Sequence, residues 1–215
     1  MNVELHLTPC IVTMPPGGSC DVLINPANER LVGTQFTPGE CEKYLAPGTN
    51  LFYPPQAIDG LVHGARGDSS GGDSSGGAAL AAAISELPIV QGEDIRCPTG
   101  SSVLTAAYGD LRECYAHVVH CVAPFYDSDR WHEQLLSCYM SAFDIADSCG
   151  AETVAVPLLG AGARGAPIEL AADIAATAAS IWSGSSSLCS VRFSVQDEGV
   201  ASAIAAAMDK ALHYD

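Results

Sequence analysis

Residues 158–167 of this chain have the sequence LLGAGARGAP. The segment overlaps the end of an apolar run, Thr153 to Leu159, that predicts a buried strand, and it leads into a helical pattern from Pro167 to Trp182. Its glycines match the spacing G-x-G-x-x-G, which lets a backbone turn sharply and approach a ligand closely. The start of the helix adds N–H groups and a partial positive charge. The segment therefore predicts a loop that holds a phosphate group.

Two other interpretations of this loop remain open at the level of sequence. A Rossmann dinucleotide domain uses the same glycines, but it needs an acidic residue about 20 positions further on. Residues 183–190 contain no acidic residue, and the glycines come too late in the chain for two nucleotide-binding halves. The simplest interpretation is a tight strand-to-helix connection without a ligand. The candidate ligand-binding residues of the loop are Gly160, Ala161, Gly162, Ala163, Arg164 and Gly165.

Strand-like and helix-like patterns alternate along most of the chain. The predicted strands are residues 3–7, 21–25, 101–108, 115–123, 153–159 and 190–195, and the predicted helices are residues 56–66, 78–87, 129–149, 167–182 and 199–212. Residues 10–14 extend the first apolar stretch and allow a hairpin there. The alternation predicts an α/β fold, a three-layer α/β/α sandwich with a central mixed, largely parallel sheet.

We expect residues 1–215 to form a single domain with two interruptions. Residues from about 33 to 55 are rich in Pro and Gly and lack periodicity, which predicts an inserted loop. Residues from about 68 to 77 are almost entirely Ser, Gly and Asp, which predicts a flexible, solvated loop.

The charge of the chain restricts its partners. Nine Lys and Arg residues against 25 Asp and Glu residues give a formal net charge of −16, which repels a nucleic-acid backbone. We therefore expect no nucleic-acid partner. A single nucleotide diphosphate can still bind, because backbone N–H groups and a helix N-terminus hold an anion locally.

Cysteine usage and hydropathy indicate a reduced compartment. The nine cysteines include no C-x-x-C pair, so buried thiols are expected rather than disulfides. No metal site is expected, because the group His117, His120 and Cys121 does not have a zinc spacing. His120 itself lies in an apolar strand and is expected to be a core histidine rather than a base. We find no secretory signal and no membrane-spanning run, which predicts a cytoplasmic or nuclear protein without a membrane partner.

Three further segments stand out, although each alone has a structural explanation. Asn25 to Asn28 form an Asn-Pro-Ala-Asn turn at the end of a strand. Asp59 stands near the start of a helix, where its charge suits the helix dipole. Cys97 to Gly100 form a turn ahead of the next strand.

Together and in this order, these segments resemble the macrodomain family, and the resemblance covers most of the chain. The family's motifs are a strand with an Asn-rich turn, a Val-Asp-Gly-Ala-Ile segment, a Cys-Pro-Thr-Gly turn with the two strands after it, and a second phosphate loop. The matching segments are Asp21 to Asn28, Ile58 to His63, Cys97 to Gly100, Thr105 to Leu111, Val118 to Pro124 and Pro157 to Pro167.

The resemblance implies an ADP-ribose site and a role for each matching residue. Asn28 would bind hydroxyls of the distal ribose, since an amide offers a donor and an acceptor to a diol. Asp59 would position or activate a water molecule against the anomeric carbon. The backbone of Gly160 to Gly165 would hold the diphosphate. The remaining expected ligand-binding residues are Asn25, Ala57, Ile58 and Gly60.

The sequence departs from the family at three places. Residues 53–57, Tyr-Pro-Pro-Gln-Ala, replace the run of glycines that precedes the Asp in hydrolytic members. Residues 14–19 contain no acid, where the family's Asp binds the adenine amino group. Arg164 replaces an aromatic residue, and it could pair with a phosphate, stack on a ring or be a solvated charge.

These observations leave two main hypotheses and a third. In the first, the domain hydrolyses an ADP-ribosyl or O-acetyl-ADP-ribose ester, with Asn28 and Asp59 as catalytic residues. In the second, it is a non-catalytic reader of ADP-ribose or of mono-ADP-ribosylated protein. In the third, the cleft is degenerate and the protein is an interaction scaffold. None of the three requires a cofactor.

Overall fold

The computed structural model of the protein describes residues 1–34, 57–64, 76–184 and 187–212. The strands are β1 (Asn2–Leu7), β2 (Val22–Pro26), β3 (Ser102–Ala106), β4 (His117–Cys121), β5 (Thr153–Val156) and β6 (Ser190–Val195). The helices are α1 (Ile58–His63), α2 (Gly76–Glu86), α3 (Trp131–Ser148), α4 (Ile168–Ile181) and α5 (Glu198–Leu212), with a 3₁₀ turn at Gly109–Glu113.

The strands form one sheet in the order β1-β6-β5-β2-β4-β3. All neighbouring strands are parallel except β3, which runs antiparallel to β4. This confirms the predicted mixed, largely parallel sheet. Because the parallel strands point the same way, the loops that follow β2, β4 and β5 emerge side by side at one edge, which we call the carboxyl edge.

Both faces of the sheet are covered by helices. Val22 and Ile24 pack with residues of α3, α4 and α5, whereas Leu23 between them packs with residues of α1 and α2. All three side chains are fully buried. A strand that is buried on both faces has an apolar residue at nearly every position, which explains the continuous apolar run that predicted β2.

Two local elements can be compared with their predictions. No hairpin forms after β1, because residues 11–14 are turns and β1 pairs with β6 instead. The flexible loop predicted for residues 68–77 overlaps α2, which begins at Gly76, and the rest of that loop lies outside the described residues. Most of the predicted insertion at 33–55 also lies outside them.

The described cysteines are unpaired, as expected. Cys97, Cys121 and Cys138 are buried between the sheet and its helices. Burial raises the pKa of Cys97 to about 12, so this thiol stays protonated and unreactive at neutral pH. No helix in the described ranges is long and apolar enough to cross a membrane.

Two glycines of the loop after β5 have backbone angles that favour glycine. Gly160 and Gly165 have φ values of +82° and +81°. A Cβ atom added at Gly160 would lie 3.1 Å from a methyl group of Leu135, which is fully buried, whereas a Cβ atom at Gly165 would meet nothing within 4 Å. The two positions therefore share the same backbone constraint but differ in the space around them.

We expect Gly165→Ala to lower the free energy of unfolding by about 1–2 kcal/mol, the cost of the left-handed backbone alone. Gly160→Ala should lower it by at least about 1 kcal/mol more, because its new methyl group crowds Leu135. Urea unfolding followed by circular dichroism measures both values. Equal losses in the two variants would contradict the proposed contact with Leu135.

Candidate functional site

The candidate site is built on the pairing of β2 with β4. Asn25 and His120 are partners in this parallel register, so their side chains emerge next to each other from the face that α1 covers. Asp59, in the first turn of α1, meets them there. All three residues are fully buried. A strand pairing and a helix end thus bring together residues separated by 34 and 61 positions in the sequence.

The amide nitrogen of Asn25 joins the other two side chains. It donates to Oδ1 of Asp59 over 2.8 Å and to Nδ1 of His120 over 3.1 Å. This orientation of the amide is the one that keeps an oxygen away from the carboxylate. Because Nδ1 of His120 accepts a hydrogen bond, the ring proton lies on Nε2, which donates to the Thr105 hydroxyl over 3.0 Å.

The second carboxylate oxygen of Asp59 is covered by the loop that follows β2. Oδ2 accepts hydrogen bonds from the backbone N–H of Thr34 at 3.1 Å, from its hydroxyl at 2.8 Å and from Nδ2 of Asn28 at 3.3 Å. Burial raises the pKa of Asp59 above its ordinary value, although the hydrogen bond from Asn25 and the charge of His63 act in the opposite direction.

His63 lies one helical turn after Asp59. Its Nε2 atom is 3.5 Å from Oδ1 of Asp59, and its side chain is 13% exposed. Burial lowers the pKa of His63, while the neighbouring carboxylate acts to raise it. Nε2 of His63 and Oδ1 of Asn25 are both buried and have no hydrogen-bond partner among the described residues. Two polar atoms beside Asp59 thus have capacity for a further partner.

Asn28 is held by its own loop. Its Oδ1 atom accepts hydrogen bonds from the backbone N–H groups of Arg30 and Val32, both at 3.2 Å. Its Nδ2 atom contacts Thr34, Asp59 and the carbonyl of Val32. The side chain of Asn28 therefore faces Asp59.

The other predicted residues of α1 occupy its first turn. Ala57 is the N-cap of the helix, Ile58 begins it, and Gly60 is its third residue and is buried. The backbone N–H of Gly64 donates to the carbonyl oxygen of Gly60, so Gly60 also takes part in ending this short helix. These residues lie beside Asp59 rather than at the far end of the cleft.

The glycine loop closes on itself before α4 begins. The N–H of Gly165 donates to the carbonyl of Gly162 over 2.9 Å, and that of Ala166 donates to the carbonyl of Gly160 over 3.0 Å. These bonds hold residues 160–166 in a compact turn. Ala161 is buried, whereas Gly162, Ala163 and Gly165 are partly accessible at the carboxyl edge.

Arg164 is bound by a carboxylate and by an aromatic ring of the protein itself. Its two terminal nitrogens contact the two carboxylate oxygens of Glu29, each at 3.3 Å. Its guanidinium carbon also lies 4.3 Å from the centre of the Phe125 ring, and the side chain is only 15% exposed. The prediction of a solvated charge was wrong, and the ring on which it stacks belongs to the protein itself.

Comparison with known proteins identifies the family of this site. A family model described as "Macro domain" matches residues 73–175. A macro domain-containing protein of Caldanaerobacter subterraneus subsp. tengcongensis is 34% identical over 144 residues, which cover 64% of this chain and 81% of that protein. The chain belongs to the macrodomain family.

Three further proteins are similar to this macrodomain. O-acetyl-ADP-ribose deacetylase 1 of Pantoea vagans is 32% identical over 120 residues, which cover 55% of this chain and 61% of that protein. The macrodomain of Oceanobacillus iheyensis, solved with ADP, superimposes with a TM-score of 0.73 at 19% identity, over 99% of this chain and 93% of its own. That of Trypanosoma brucei, solved with ADP-ribose, has a TM-score of 0.64 at 20% identity, over 94% and 67%. At such identities these two structures show the shared fold alone.

Asp59, His63 and His120 form a group that offers three metal-ligand atoms within 4.8 Å of one another. Oδ1 of Asp59 and Nδ1 of His120 both accept hydrogen bonds from the amide nitrogen of Asn25. The arrangement of the macrodomain here is that of a hydrogen-bonded network.

Three residues that hold the predicted site residues had not been predicted from the sequence. His63 and Thr34 contact Asp59, and Glu29 holds Arg164. The spacing of four between Asp59 and His63 on a predicted helix was a usable signal, because it places both on one face. No local signal connects Glu29 with Arg164, which are 135 positions apart.

A separate cavity lies away from this site. A cavity of about 400 Å³ opens beside Ala106 and Tyr115, where β3 ends and β4 is about to begin. That point lies at the opposite edge of the sheet from the carboxyl edge, because β3 is antiparallel to β4. None of the predicted site residues lines it.

We expect His120 to remain neutral throughout the physiological range. Burial lowers its pKa to about 3. Because the folded pKa lies below the unfolded value of about 6.5, the associated stability is present above about pH 6.5 and is lost as the pH falls towards 3. Ring-nitrogen NMR spectra should show Nε2 protonated and Nδ1 unprotonated from pH 5 to 8. The urea-unfolded chain, whose histidines titrate normally, is the control, and titration of His120 near pH 6 in the folded protein would contradict the assigned network.

Proposed function

We propose that this macrodomain binds ADP-ribose, either free or attached to a protein, at the carboxyl edge of its sheet. The terminal ribose would lie against Asn28 and Asp59, and the diphosphate against the backbone of residues 160–165. Membership of the family and the relatives solved with ADP and ADP-ribose support this ligand. We further propose that residues 1–215 act as one domain, since strands from both ends of the chain share one sheet.

The observation that carries the proposal is the pair of unsatisfied polar atoms beside Asp59. Oδ1 of Asn25 and Nε2 of His63 are buried, and no described group bonds to either. Buried polar atoms are nearly always hydrogen-bonded in native proteins. A ligand hydroxyl, or a water molecule bound with the ligand, can donate a hydrogen bond to Oδ1 of Asn25 and form another with Nε2 of His63. A ribose supplies such hydroxyls.

The diphosphate would be held mainly by backbone groups. The chain carries nine Lys and Arg residues against 25 acidic residues, and Arg164 is already paired with Glu29. The glycine loop leads directly into α4, whose N-terminus favours an anion. The loop consists largely of small residues that are partly accessible, so a diphosphate can approach its backbone closely.

Calorimetric titration with ADP-ribose, ADP and AMP tests the ligand assignment. We expect ADP-ribose to bind at least about tenfold more tightly than AMP, and Asn28→Ala to weaken it about tenfold through lost hydrogen bonds. Asn2→Ala is the matched control, because Asn2 is exposed at the opposite edge of the sheet. Absence of binding to all three compounds by a folded protein would refute the proposal.

Hydrolysis of an ADP-ribosyl or O-acetyl-ADP-ribose ester is the second candidate function. The observation that favours it is a buried carboxylate with a raised pKa, 3.5 Å from a histidine whose pKa is lowered. Asp59 as a carboxylate can take a proton from water or stabilise positive charge at the anomeric carbon. Thr34 covers one oxygen of Asp59, so turnover would require the ligand or its water to displace that contact.

Asp59→Asn separates catalysis from binding. If the macrodomain is a hydrolase, release of ADP-ribose from a mono-ADP-ribosylated protein, or of acetate from O-acetyl-ADP-ribose, should fall at least about 100-fold, with ADP-ribose affinity changing far less. Turnover by the native protein should decline as the pH falls, with a midpoint above about 3.9, the ordinary pKa of Asp. If the native protein binds ADP-ribose tightly without turnover, its function is that of a non-catalytic ADP-ribose reader instead.

A further inference from the structure

The ion pair of Glu29 with Arg164, which we call the clamp, joins two loops at the carboxyl edge. It is bidentate, with both nitrogen–oxygen distances at 3.3 Å. The Arg164 side chain is 15% exposed and that of Glu29 is 32% exposed, so the pair is shielded from solvent more than a typical surface pair. Phe125 packs against the guanidinium with its ring centre 4.3 Å away.

Both ends of the clamp are anchored by the main chain. The carbonyl oxygen of Glu29 accepts hydrogen bonds from the backbone N–H groups of Arg96 and Cys97, and the carbonyl oxygen of Arg164 accepts one from Tyr126. The hydroxyl of Thr99 donates to Oε1 of Glu29 over 2.9 Å. Neither partner is therefore a freely rotating surface side chain, and the pair fixes a distance between their loops.

The clamp stays ionised at neutral pH. Burial alone would raise the pKa of Glu29, but hydrogen bonds from its own backbone N–H and from Arg164 bring that pKa below its ordinary value. Arg164 is the only cation that contacts Glu29 in the described parts of the chain. Glu29 thus engages the guanidinium group that could otherwise bind a phosphate, and Arg164 engages the carboxylate that could otherwise bind a cation of the ligand.

The position of the clamp relates it to one part of the ligand. Glu29 directly follows Asn28, which is expected to hold the terminal ribose, and Arg164 lies within the loop expected to hold the diphosphate. The strands before these loops, β2 and β5, are neighbours in the sheet. By holding Glu29 against Arg164, the clamp also fixes the distance between the residues expected to bind the ribose and those expected to bind the diphosphate.

We propose that the clamp determines specificity by shaping the terminal-ribose compartment, so that it favours ADP-ribose over ADP without touching the phosphates. This inference rests on the proposed function and adds to it. Glu29 and Arg164 act as positioning residues. ADP lacks the terminal ribose, so it should be insensitive to the clamp, whereas ADP-ribose should lose affinity when the clamp is broken.

The test compares the affinities of the same variants for ADP and for ADP-ribose by calorimetry. Glu29→Gln and Arg164→Gln should each reduce the preference for ADP-ribose about tenfold, and the double variant should do no more than either alone, since the two groups act as one unit. The exchange of charges, Glu29→Arg with Arg164→Glu, should restore part of the preference. Asp173→Asn, which breaks an exposed ion pair with Lys210 between α4 and α5, is the control and should change neither affinity.

Each alternative role predicts a different pattern. If Arg164 is a phosphate ligand that Glu29 restrains, Glu29→Gln should tighten ADP and ADP-ribose alike, and Arg164→Gln should weaken both. Equal losses for both ligands, or no change for either, also overturn the inference. Thermal unfolding of every variant checks that it is folded. Failure of the native protein to bind either ligand would instead refute the proposed function, so the two failures are distinguishable.

Discussion

The amide of Asn25 is the contact on which the site depends. It is fully buried, and its nitrogen bonds at once to the carboxylate of Asp59 and to the ring of His120. These two bonds attach the short helix α1 to the sheet and select the tautomer of His120. An isolated helix of six residues has little intrinsic stability, so α1 exists because such contacts and its buried residues hold it. The position of Asp59 is therefore determined by residues of the sheet.

The electrostatics of the cleft are unusual for a protein proposed to bind a diphosphate. The overall charge is strongly negative, and Arg164, the cation of the glycine loop, is already neutralised by Glu29. Anion binding by such a surface has to rely on the backbone and on the start of α4. The charged side chains of Glu29 and Arg164 can then act on geometry instead, because the clamp that they form sets the distance between their two loops.

Sequence patterns predicted the sheet and its long helices well. β2, β5 and β6 were visible as short apolar runs, and α3, α4 and α5 as helical periodicities, because full burial leaves a strong signal. Of the two alternatives for the first apolar stretch, the strand β1 formed and the hairpin at residues 10–14 did not. Residues 11–14 form turns instead, and Ile11 and Val12 are buried in the same apolar cluster as Leu23, which explains their apolar character without a second strand.

The sequence by itself determined the family, the alternation of strands and helices, and the residue types at the carboxyl edge. It carried this information because motifs and periodicities are local. Only the tertiary structure decided that Asn25 stands between Asp59 and His120, that Thr34 covers the carboxylate, and that Arg164 belongs to Glu29. The paired residues are separated in the sequence by between 25 and 135 positions. These pairings follow from strand register and loop packing, which no local pattern encodes.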